Sequence, residues 1–157
     1  VTDSGGHPTT LLVGHARDTS SDHALGVAVD LGCRLGARLH VVHTICPDPY
    51  LLADGYAWDR VAPSDALVAE ERRHVENLLA KTSLPWSYEA RHGDPATELA
   101  RAAAAQDALM IIVGTRGEGL RRALARLVDP SVSHAVIGRQ HRPVLVVPLP
   151  DARGRSY

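Results

Sequence analysis

Apolar runs and helical stripes alternate along the 157-residue chain. The first run, TTLLVGH (9–15), is aliphatic, ends in a glycine-containing turn and predicts a strand. Ser20 and Ser21 then stand as N-cap candidates for a helix with Leu25, Ala28, Val29 and Leu35 on one face. RLHVVHTI (38–45) predicts a second strand, stopped by Pro47 and Pro49. After a longer loop, Ser64-Asp65 opens a helix with Val68, Val75, Leu78 and Leu79 inward. WSYEARH (86–92) alternates like a half-exposed edge strand. Asp94 can cap an alanine-rich helix over 96–105, with Pro95 suited to its first position. ALMIIVG (108–114) is uninterrupted and apolar, as a central parallel strand should be. A helix from about Ser131 to Gly138 and a strand PVLVVP (143–148) close the pattern.

Strand and helix in regular alternation predict a parallel sheet with helices on both faces, hence the α/β class. Ligands of such sheets sit beyond the carboxyl ends of the strands. Those ends fall near His15, Ile45, His92 and Gly114.

Composition narrows the picture. The length suits one domain, placed at 9–149, with a flexible leader over 1–8 and a flexible tail over 150–157. A net charge of −1 argues against general nucleic-acid or membrane binding. No apolar run approaches a membrane span, and the opening VTDSGGHPTT lacks an apolar segment of the signal-peptide kind. Two cysteines without a CxxC spacing fit a reduced, cytoplasmic setting. Cys33 should pack within the first helix, and Cys46 is a weak redox candidate.

Three segments then carry a resemblance. LLVGHARDTSSDHALGVAVDLGCRLGARLHVVHTI is similar to the opening of a universal stress protein. GDPATELARAAAAQDALMIIVGTRGEG resembles that family's third helix, fourth strand and glycine loop, and SVSHAVIGRQHRPVLVVP its closing helix and strand. The resemblance implies an open five-stranded parallel sheet of order 3-2-1-4-5, with helices on both faces, of the adenine nucleotide alpha hydrolase-like kind. It implies a stress-response role and a homodimer, often joined through the last strand. Some members bind ATP at the ends of the first and fourth strands, and others bind none. An adenine nucleotide carried with Mg is therefore the cofactor to test, and no other metal is expected.

If a nucleotide binds, the resemblance places Gly114, Arg116, Gly117, Gly119, Ser131 and Ser133 at its phosphates. Backbone groups near Val13 and His43 would flank the base. Glycines let the backbone approach phosphate, and N–H groups at a helix start receive its charge. Gly114-Thr115-Arg116-Gly117 fits the first half of the ATP-binding pattern. The second half departs. Twelve residues, Glu118 to Asp129, separate Gly117 from Pro130, a spacer three residues longer than the family's. Pro130 stands where glycine is expected and has no N–H to offer. Asp129 at the N-cap would accept the donors that phosphate needs. Where ATP-binding members commonly carry aspartate after the first strand, this chain has Ala16, although Asp18 lies close by. ATP binding is accordingly expected to be weak or absent.

Other constellations leave alternatives open. Arg121, Arg122 and Arg126 alternate with Leu120, Leu124 and Leu127, either as a solvated amphipathic turn or as a basic flap over an anion. The flap would give a competent ATP-binding protein with slow hydrolysis. Of nine histidines, His15, His43 and His92 fall at the ends of strands that the resemblance makes neighbours. Convergence there would make a histidine-rim metal site in a small α/β enzyme. His40 and His43, an odd step apart, should point to opposite faces. The loop 46–60 holds Tyr50, Tyr56 and Trp58, as a lid, a partner contact or a self-packed cover. No catalytic residue is assigned, because no Gly-x-Ser-x-Gly, His-Glu-x-x-His or Gly-Lys-Ser/Thr motif is present.

Overall fold

The computed structural model describes residues 8–45, 65–114 and 142–149. Its elements, in order, are β1 (Thr10–His15), α1 (Thr19–Leu35), β2 (Arg38–Ile45), α2 (Asp65–Leu79), β3 (Trp86–His92), α3 (Pro95–Ala105), β4 (Met110–Gly114) and β5 (Val144–Val147). The five strands form one sheet in the order β3-β2-β1-β4-β5, and every neighbouring pair is parallel. The fold is thus the α/β sheet of order 3-2-1-4-5, with WSYEARH at one edge. The glycine and arginine loops, the 46–60 loop, and the helix expected near 131–138 lie outside the described residues, as do 1–7 and 150–157.

Strand pleat sorts the core onto two faces. Leu11 and Val13 of β1 join Leu39, Val41 and Ile112 against Ala24, Leu25 and Ala28 of α1 and Val75 and Leu79 of α2. Leu12 points the other way and packs with Val42, Ile111 and Val113 against Leu99, Ala102 and Ala103 of α3. Deleting a buried leucine such as Leu25 (1% exposed) would cost about 2–5 kcal/mol. The two glycines at the strand ends have packing reasons. A Cβ on Gly14 would press on Leu99 and Val113 at 3.0 Å. One on Gly114 would lie 2.4 Å from Ser20 Oγ and 2.6 Å from its carbonyl oxygen, so glycine lets α1 start directly against β4.

Several local expectations change. The N-cap of α1 is Asp18, not Ser20 or Ser21. Its carboxylate accepts the Ser21 N–H at 2.8 Å, three residues on, as an N-cap should. Ser20 and Ser21 are buried in the first turn, where Ser21 Oγ accepts the Ala16 N–H at 3.1 Å. Leu78 is exposed, because the buried stripe of α2 runs through Glu71, Val75 and Leu79. Cys33 is exposed rather than packed, since Gly32 takes the inward position of that turn. At α3 the expectation holds: Asp94 caps, its carboxylate accepting from Thr97 N at 3.1 Å, and Pro95 starts the helix. β4 begins at Met110 rather than at 108. The chain leaves α3 through Asp107 in the left-handed region (φ 45°), and Ala108 N–H bonds back to Ala103.

Candidate functional site at the strand ends

The parity that puts Leu11 and Val13 under α1 and α2 carries His15 to the same face, at the carboxyl end of β1. Register sets His43 of β2 beside it. From above, α2 lowers Glu71, which sits on the helix's apolar stripe and is only 3% exposed. One turn along α2 lies His74. α1 adds Asp22 from its first turn, where a carboxylate also suits the helix dipole.

These side chains form one network. His15 Nδ1 lies 2.8 Å from Glu71 Oε1, and His15 Nε2 lies 3.0 Å from Asp22 Oδ1. His74 Nε2 reaches the same Asp22 oxygen at 2.9 Å. His43 Nδ1–H donates to the His15 carbonyl at 3.0 Å and stands 3.7 Å from Glu71 Oε1. Carboxylates only accept, so His15 meets both acceptors fully as an imidazolium. Burial pulls the His15 pKa down, but the bonds to Glu71 and Asp22 and the pull of both charges outweigh it. The net result lies above the usual 6.5. Burial likewise pushes Glu71 up. The His15 hydrogen bond and the nearby His43, His15 and His74 reverse this and leave it below the usual 4.5. Tyr88 of β3 has its hydroxyl buried with no hydrogen-bond partner among the described residues. Burial and the Glu71 charge hold its pKa at about 12.

The predicted site residues divide. Val13 is fully buried in the core, leaving only its backbone to offer, and that backbone lies in the ladder between Val41 and Ile112. His43 is half-buried at the end of β2, and Gly114 is buried at the end of β4 against Ser20. Arg116, Gly117, Gly119, Ser131 and Ser133 lie outside the described residues. The rim of His15, His43 and His92 does not assemble. His92 pairs with Ile45 and is exposed, while His43 pairs with Ala90, so His92 stands two residues, about 6.6 Å, further along. Glu71, Asp22 and His74 were missed. A glutamate at the helical spacing of Val68, Val75 and Leu79 was the available signal, because an acid on an apolar stripe needs a partner below it.

Fold and strand-end site together define an open parallel α/β domain whose chemistry gathers beyond the first two strands. A family model described as the universal stress protein family matches residues 8–148, and the chain belongs to that family. A universal stress protein of Methanocaldococcus jannaschii is 28% identical over 137 residues, covering 83% of this chain and 74% of its own. Two solved structures share the fold. One is a universal stress protein in complex with cAMP (TM-score 0.57, 22% identity, 90% of this chain and 97% of that one). The other is the Archaeoglobus fulgidus protein in complex with dAMP (TM-score 0.60, 12% identity, 89% and 97%). Among the described residues, no helix is long and apolar enough to cross a membrane.

Proposed function

We propose that this chain is a regulatory, ligand-sensing universal stress protein of the cytoplasm, acting as a homodimer in the stress response, with a nucleotide pocket altered until ATP binds weakly or not at all. The observation that carries this is the fate of the first strand's acceptor. Ala16 occupies the place of the usual aspartate, and the neighbouring Asp18 spends its carboxylate on the N-cap of α1. The Asp129-Pro130 pair adds a second loss at the phosphate end. Dimerisation is supported by β5, which among the described residues is an edge strand with Val146 exposed.

A second reading is a competent nucleotide-binding protein with slow hydrolysis, in which Arg116 and the arginine-rich spacer hold the phosphates. It is supported by the two related structures solved with cAMP and dAMP. Calorimetry of the full chain with ATP and Mg, then with cAMP, separates them. The first reading expects no saturable heat at micromolar ATP. Micromolar binding abolished by Gly117→Val establishes the second instead.

A further inference from the structure

We propose that His15, Asp22 and His74 form a binding site for a divalent transition-metal ion of the zinc class, joining β1, α1 and α2. One ligand atom from each residue lies within 4.8 Å of the others. Asp22 Oδ1 is 3.0 Å from His15 Nε2 and 2.9 Å from His74 Nε2. A tetrahedral ion with bonds of about 2.0–2.1 Å holds its ligand atoms about 3.3 Å apart, so both carboxylate–imidazole separations are within a few tenths of an ångström of that figure.

The surroundings support a ligand set rather than a chance cluster. His15 Nδ1 is committed to the buried Glu71, which fixes the ring and leaves Nε2 facing Asp22. A carboxylate behind a ligating imidazole is the usual outer support of a metal-bound histidine. An ion here would replace the Nε2 proton of His15 and be held between the imidazole and the Asp22 carboxylate, while the Nδ1 proton stays on the Glu71 side. The His15 side chain is fully buried, whereas Asp22 and His74 are about one-third exposed. An ion there would be reached from solvent past Asp22 and His74, and solvent would supply its fourth ligand as water. Two imidazoles with one carboxylate favour zinc-class ions over magnesium or calcium, which prefer oxygen.

This departs from the sequence-based expectation of magnesium alone, and it does not depend on nucleotide binding. Full-length protein stripped with a chelator is titrated by calorimetry with zinc chloride and then cobalt chloride, in nucleotide-free buffer. The expected result is one equivalent of zinc, cobalt visible absorption of four-coordinate intensity, and no displacement by millimolar magnesium. His74→Ala, at a position about one-third exposed, should lower zinc affinity at least tenfold, whereas His92→Ala should leave it unchanged. Thermal melting confirms that both variants fold, and the wild-type titration decides the matter even if one does not. Absence of stoichiometric zinc uptake by the wild type, uptake of equal affinity by folded His74→Ala, or displacement by magnesium would overturn the proposal.

Discussion

Two histidines on adjacent strands make the same kind of contact, yet their pKa values shift in opposite directions. His15 of β1 and His40 of β2 are both nearly buried, at 3% and 4% exposure. Each has both ring nitrogens in hydrogen-bond contact. His15 lies between Glu71 and Asp22, and His40 between Ser87 Oγ at 2.8 Å and Glu89 Oε2 at 3.1 Å. Strand pleat sends them to opposite faces, because Leu12, the register partner of His40, packs toward α3. The His15 pKa is raised and the His40 pKa is lowered. Burial acts downward on both. For His15, two carboxylates reverse it. For His40, one half-exposed carboxylate, itself shared with Arg91, does not, and the nearby Arg38 and Arg91 charges push the same way as burial. Desolvation sets the starting point, and the balance of nearby carboxylates against nearby guanidinium groups decides the outcome.

The largest break in this comparison should come from removing the anions. Glu71→Ala leaves His15 buried without its principal partner and should cost about 3 kcal/mol in urea denaturation at pH 6. Glu89→Ala removes a half-exposed partner and should cost less than about 1 kcal/mol. Equal costs would show that the two sites do not differ as described.

A smaller but sharper effect is the pH dependence of stability, followed in chelator between pH 5 and 8. The raised His15 pKa means that its contribution is complete below 6.5 and is lost as pH rises through its folded value. The lowered His40 pKa acts in the opposite sense. The unfolded chain takes up a proton that the fold resists, so stability falls as pH drops below 6.5 through the folded value. These two groups together place a maximum near pH 6.5. His15→Gln should flatten the alkaline decline and His40→Gln the acid one. A variant that flattens the wrong limb would contradict the assignment.

The sheet was legible because its signals are local: a strand at 38–45 followed by Pro47 and Pro49, a capped helix at Asp94-Pro95, and an apolar run into Gly114. The order of the strands came from family resemblance rather than from spacing. The site was half legible. His15 and His43 follow from strand ends and register, and they do meet. His92 failed because register, not sequence position, decides which residues are level across a sheet. Glu71 and His74 stand in a helix whose legible signal is its apolar residues, and the Glu71–Val75–Leu79 stripe fills the inward position that apolar spacing alone assigns to Leu78. Asp18 directly precedes α1 and caps it, whereas the serines that follow fall inside its first turn.

The most direct test is a histidine NMR titration of the chelated full-length protein, with imidazole signals assigned through His15→Gln and His40→Gln. The His15 ring should gain its proton at a pH above 6.5, and the His40 ring only below it. Coincident midpoints, or His40 protonating first as pH falls, would contradict the claim that two carboxylates raise the His15 pKa while burial and two arginines lower that of His40.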